Sequence, residues 1–206
     1  MAATNSNSNS NPVTAEMLQQ ASDLEVMNAQ NNKTPFNSLY TPTEGITRHL
    51  IVFIRHFNCG SCQHYVEALT AHPKLNSTST PDLKVILIGC GQPSMIQVYK
   101  DRTKTLFEIF CDPERNLYKT FGMTVNTESG PKKPDYIKDS MLAVTSRSIP
   151  NVLFSGFSPS WGPKGGDFSQ NGGELYFVNG EMKWSHIMQH TRDHAEIEEL
   201  GKVMGL

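Results

Sequence analysis

The chain has 206 residues, enough for one domain with a sizeable core, and 37% of them are hydrophobic. Its 18 Lys and Arg stand against 20 Asp and Glu, a net charge of −2, which argues against nucleic acid or an anionic membrane as partner. The best apolar run, Leu50–Ile54, is strand-sized and far short of a bilayer span.

Residues 1–12, an Asn/Ser alternation ending in Pro12, have no apolar surface to bury and are expected to be disordered. Val13, Met17, Leu18, Leu24 and Met27 predict a weak helix, and Asn28–Lys33 reads as linker. Residues 1–36 are therefore expected as an extension ahead of a domain spanning 37–206. His49–Ile54 is continuous and rich in β-branched and aromatic residues, the pattern of a strand buried on both faces of a parallel sheet. Cys62, Tyr65, Val66 and Leu69 then recur at helical spacing, so a helix begins near Gly60. Asp82–Gly89 predicts a second buried strand, Pro93–Lys104 a helix with Pro in its first turn, and Leu106–Phe110 a short strand. Pro113–Phe121 predicts a short helix closed by Gly122. Residues 124–171 form a long Gly/Pro/Ser-rich insertion, expected to carry one helix near Ile137–Val144 and to act either as a functional cover or as a partly mobile flap. Glu174–Val178 and Met182–His186 flank Asn179-Gly180, a two-residue hairpin signal, and His194–Met204 is the last helix, with Asp193 as its N-cap. The sum is an α/β fold: a mixed sheet with helices on both faces and a long insertion before the last β-hairpin.

In such sheets reactive groups gather outside the carboxyl ends of the strands. Cys59 falls there, at the corner between strand and helix, where free amides and the helix dipole favour a thiolate. Cys62 lies on the apolar face of the same helix and is expected to be less exposed, which suits an attacking thiol followed by a resolving one. Arg55 at the strand end is expected to lower the Cys59 pKa or to orient a bound substrate, and His56 is a candidate acid–base or substrate contact. A zinc site needs about four ligands and no second close Cys pair exists, so no metal is expected. Cys90 and Cys111 are either small buried hydrophobes or alternative resolving thiols, and inert burial remains the bland reading of the Cys59/Cys62 pair as well. Without the basic and apolar stretches of a secretory signal, four cysteines suggest a reducing compartment, with the cytoplasm expected.

Arg55-His-Phe-Asn-Cys-Gly-Ser-Cys62 resembles the R-x-F-x-C-x-x-C signature of the AhpC/TSA-type peroxiredoxin-like 2 family, whose fold is thioredoxin-like. Phe110–Gly122 resembles the D-P-x-x-x-x-Y-x-x-x-G segment shared with peroxiredoxins, and Gly166–Gly173 the stretch before their last hairpin. The resemblance spans about residues 40–206. It implies a thioredoxin-like, peroxiredoxin-like fold and an antioxidant thiol oxidoreductase that needs no prosthetic group and is re-reduced by an external thiol such as thioredoxin or glutathione. Val52 and His56 stand where typical peroxiredoxins carry Pro and Thr or Ser, which argues against efficient peroxidase turnover. Asn58, Ser61 and Gly172-Gly173 stand where thioredoxins carry Trp, Pro and the proline before the hairpin. Asn58, Gly172 and Gly173 are accordingly expected near the substrate, Gly173 allowing close backbone approach by a ligand.

Three functions follow from these residues. The first is a thiol–disulfide oxidoreductase acting on a small peroxide or disulfide, with Cys59 attacking and Cys62 resolving. The second is a specialised enzyme converting an organic substrate beneath the insertion, in a pocket lined by Phe154, Phe157, Trp161 and Phe168. The third is a redox sensor or binding module without turnover. A homodimer is compatible with any of them.

Overall fold

In the computed structural model, which describes residues 13–75, 80–138, 157–158 and 162–206, three apolar runs form the centre of a seven-stranded sheet. β3 (Arg48–Phe53), β4 (Leu83–Gly89) and β5 (Glu108–Cys111) are parallel, with Ile51 opposite Ile86 and Leu87 opposite Ile109. The hairpin of β8 (Gly173–Val178) and β9 (Glu181–Ile187) adds antiparallel strands on the free edge of β3. Its turn residues Asn179 and Gly180 have φ of 53° and 79°, the left-handed pair that a two-residue hairpin requires.

Alternation along β3 divides the core. Leu50, Val52 and Ile54 face α2 (Gly60–Ala71), α3 (Ser94–Thr103) and α5 (Ile197–Met204), while Ile51 and Phe53 face Phe36, Tyr118 and Phe121 on the other side. Each such Leu, Ile or Phe contributes about 1.5–3 kcal/mol by leaving water. Tyr118 of α4 (Asn116–Thr120) ties the strand ends together, its hydroxyl lying 2.7 Å from Ile54 O and 2.9 Å from Ile88 O.

The N-terminal segment departs from expectation. Residues 13–36 are part of the domain: α1 (Ala15–Ala21) is followed by β1 (Glu25–Met27), which pairs antiparallel with β5, and by β2 (Lys33–Pro35) at the sheet edge. Of the predicted linker Asn28–Lys33, residues 28–32 form the turn joining the two strands and Lys33 opens β2. Val26 and Phe36 are fully buried, Phe36 packing its ring against Phe53 and Phe121, and that burial holds the segment down. Residues 1–12 lie outside the described residues.

Smaller differences sit at element ends. Leu106 precedes β5 and is exposed. The last helix starts at Ile197, not His194, and Asp193 caps no helix; its carboxylate accepts from Gln189 N instead. Within the insertion, Val125 bridges Gln170, and β6 (Phe157–Ser158) pairs with β7 (Gly162–Pro163). Ile137 and Lys138 are not helical, and the remainder of the helix expected near 137–144 lies outside the described residues. Among the described residues no helix is long and apolar enough to cross a membrane.

Candidate active site

β3 ends at Phe53 and α2 begins at Gly60, and the corner between them carries the reactive groups. Cys59 is the N-cap of α2: its backbone is extended (φ −75°, ψ 113°) and its sulfur accepts from Cys62 N at 3.4 Å. This is the place of a capping Ser or Asp, and a thiolate there is stabilised by the amide and by the positive end of the helix. Arg55 Nη1 reaches Cys59 Sγ at 3.3 Å. Cys62, one turn along, is fully buried, with its sulfur accepting from Arg55 N at 3.4 Å.

The two thiols are pulled apart electrostatically. The Cys62 thiol, hydrogen-bonded to the Cys59 sulfur, holds the Cys59 pKa well below its ordinary value, with Arg55 and the Cys62 amide acting in the same direction against burial. Burial pushes Cys62 well above its ordinary value, and the neighbouring Cys59 sulfur adds to the rise. His56, which burial holds at a pKa of about 4, is neutral at pH 7, so Arg55 is the cation that matters. Cys90 and Cys111 are each pushed up by burial to about 12; Cys90 donates to Arg55 O at 3.0 Å. The structure joins none of the four cysteines in a disulfide, and among the described residues no group of three or more His, Cys, Asp or Glu is placed to hold a metal ion.

The returning loop 164–171 closes over this corner. Gly165 O accepts from Phe57 N, and Arg55 donates to Phe168 O, Gln170 O and Asn171 Oδ1. The ring of Phe168, 38% exposed, stands edge-on to His56 with centroids 5.1 Å apart. Cys59 is only 4% exposed. Of the other aromatic residues expected to line a pocket, Phe154, Trp161 and the side chain of Phe157 lie outside the described residues.

Arg55, His56, Cys59 and Cys62 thus come together, and Asn58, Gly172 and Gly173 are occupied otherwise. Asn58 is buried against Gly165 and accepts from Arg102 Nη1 at 3.4 Å. The space above Gly172 is filled by the carbonyl of Phe53, and that above Gly173 by the carbonyl of His186. The close approach that these glycines permit is by the chain's own strands rather than by a ligand.

Two residues escaped the sequence reading. Glu174 is fully buried in β8, opposite Val52 and on the same face as Tyr176, where the alternation of the strand points it toward α2. His194, in the loop before α5, has Nδ1 2.5 Å from Glu174 Oε1 and Nε2 3.4 Å from Cys62 Sγ, and its ring stacks on Tyr65 at 4.2 Å. An acidic residue inside a strand buried on both faces was the available signal, because such a charge is costly unless something pairs with it.

The sequence of an AhpC/TSA antioxidant enzyme family model matches residues 69–190, more than half of the chain. The chain belongs to the AhpC/TSA antioxidant enzyme family. The matched segment starts after Cys62, so membership in the AhpC/TSA family rests on β4, β5, the insertion and the hairpin rather than on the two cysteines. Peroxiredoxin-like 2C of Mus musculus is 29% identical over 186 residues, covering 89% of this chain and 78% of that protein. Peroxiredoxin-like 2C of Homo sapiens is 29% identical over 187 residues with the same coverage. Among solved structures, the bacterioferritin comigratory protein of Xanthomonas campestris superposes with a TM-score of 0.53 at 8% identity, over 91% of this chain and 89% of that one. A thiol peroxidase from Chromobacterium violaceum gives 0.51 at 14% identity, over 88% and 82%. An uncharacterized thioredoxin-like protein from Porphyromonas gingivalis gives 0.52 at 14%, over 91% of each chain. The fold is thioredoxin-like.

Proposed function

We propose that this family member is a thiol–disulfide oxidoreductase in which Cys59 attacks and Cys62 resolves. One observation carries the reading: the Cys59 sulfur caps a helix and faces the Arg55 guanidinium at 3.3 Å, with a second thiol hydrogen-bonded to it. The Cys59 thiolate attacks one sulfur of a small disulfide, or the terminal oxygen of a hydroperoxide. The thiolate or alkoxide expelled takes up a proton, and Cys59 is left as a mixed disulfide or a sulfenic acid. Cys62, deprotonated, attacks the Cys59 sulfur and expels the second thiol or water, closing a Cys59–Cys62 disulfide. Two electrons from an external thiol, of the thioredoxin or glutathione kind found in a reducing compartment such as the cytoplasm, restore the pair.

Geometry favours a disulfide over a peroxide as the better substrate. No hydroxyl stands three residues before Cys59; His56 is there, with Nδ1 buried and without a hydrogen-bond partner among the described residues. That nitrogen is left to hydrogen-bond a substrate. Thiol peroxidase is the name of one structural relative and alkyl peroxide reduction the activity of another, so both substrates belong in the test.

Rapid acid quench with intact mass spectrometry, after mixing with hydroxyethyl disulfide or hydrogen peroxide, decides it. Wild type is expected to lose two hydrogens, Cys62→Ser to accumulate the Cys59 adduct or sulfenic acid, and Cys59→Ser to remain unchanged. Equal reactivity of the three proteins would sink the proposal.

A further inference from the structure

We infer that His194, held by Glu174, is the base that takes the proton of Cys62 when that thiol resolves the oxidised Cys59. The inference rests on the function proposed above and adds a catalytic residue to it. A buried thiol whose ionisation is opposed by its surroundings does not become a nucleophile unaided, and burial opposes ionisation of Cys62. Among the described residues, the imidazole nitrogen within hydrogen-bond reach of Cys62 Sγ is His194 Nε2, at 3.4 Å.

The tautomer follows from the partner. An ionised carboxylate only accepts hydrogen bonds, so Glu174 Oε1, 2.5 Å from Nδ1, fixes the hydrogen on Nδ1 and leaves the Nε2 lone pair toward the thiol. Glu174 Oε2 also accepts from Ala195 N at 3.5 Å, which anchors the loop that carries the histidine. Tyr65 stacks on the ring at an interplanar angle of 4° and sets its plane. Both side chains of the Glu174–His194 pair are fully buried, a costly arrangement for packing alone.

The step balances. The Cys62 S–H bond breaks, its proton passes to His194 Nε2, and the imidazolium formed is paired with the Glu174 carboxylate. The thiolate forms the S–S bond to Cys59 as the bond from Cys59 to the substrate fragment breaks. The fragment leaves with the bonding electrons and collects the proton from His194, which returns neutral. No further oxidant is needed beyond the disulfide already consumed. Glu174 acts through His194 and is a positioning residue.

Quench-flow mass spectrometry with hydroxyethyl disulfide separates the two steps, since formation of the Cys59 adduct reports attack and its decay to the internal disulfide reports resolution. In His194→Gln, adduct formation is expected at the wild-type rate, and decay about 10²-fold slower. Glu174→Gln is expected to slow decay by a smaller factor. Wild type itself supplies a third readout. Transfer of the Cys62 proton to His194 in the resolving step is expected to make adduct decay slower in D2O than in H2O. Adduct decay in His194→Gln at the wild-type rate, or wild-type decay that is not slowed in D2O, overturns the base while leaving the function standing. Absence of any Cys59 adduct in wild type overturns both. Should His194→Gln fail to fold, the solvent isotope effect on wild-type decay decides.

Discussion

Arg55 and Cys59 lie four residues apart, yet the contact of Nη1 with Sγ is fixed from elsewhere in the chain: Nε donates to Gln170 O at 3.1 Å and to Asn171 Oδ1 at 3.0 Å. A planar fork held on three sides delivers its charge to one place, which a flexible ammonium would not. The guanidinium favours the thiolate, so its removal must raise the Cys59 pKa. Arg55→Met is expected to shift the pH profile of iodoacetamide alkylation at Cys59 upward by about 1–2 units. An unchanged profile would exclude Arg55 from the activation of the thiol.

Thiol reactivity should be confined to one residue. Burial pushes Cys90 and Cys111 to about 12, and Cys62 also lies well above its ordinary value. A brief pulse of iodoacetamide at pH 8 on the native reduced protein is expected to label Cys59 alone, with all four cysteines labelled after denaturation. Peptide mapping reads the result, and rapid native labelling of Cys90 or Cys111 would reopen their candidacy as resolving thiols.

His56 makes stability depend on pH. Burial lowers its pKa from 6.5 to about 4 in the folded chain, so between those values the unfolded chain binds more protons. Stability therefore rises with pH through that window and is lost as pH falls from 6.5 toward 4, by about 3 kcal/mol at most. Urea unfolding at pH 7 and pH 4.5 measures the difference. His56→Leu is expected to flatten this limb, and an undiminished slope would assign the acid sensitivity to other groups.

Gly172 is a packing glycine at the turn into β8. The position a Cβ would take is filled by Phe53 O, a backbone atom that cannot swing aside. Gly172→Ala is expected to cost about 1–3 kcal/mol in chemical denaturation and to separate β8 from the end of β3. Since Glu174 lies two residues on, adduct resolution should slow more than adduct formation in this variant. A neutral substitution would mean that the strand end relaxes freely.

Much of the fold was legible because its determinants are local. Leu50–Ile54 and Val85–Ile88 are apolar without a break, the pattern of a strand covered on both faces, and Asn179-Gly180 leaves little choice but a tight hairpin. The capping position of Cys59 followed in the same way from the end of one run and the start of another. The β1–β2 hairpin was not legible: three-residue strands carry too few side chains to show a period, and Val26 and Phe36 are held by the edge of β5 and the ring of Phe53.

The sequence by itself determined the central strands β3 and β4, the closing hairpin and which sulfur begins a helix, because propensity and periodicity act over a few neighbouring residues. Only the tertiary structure decided what surrounds that sulfur. Cys62 and His194 are 132 positions apart, and Arg55 meets Gln170 across 115. Such contacts exist because a sheet closes its hairpin against a distant strand and brings a loop and a buried acid with it. No local rule encodes that meeting, since its energy comes from burying surfaces that touch only once the whole sheet is assembled.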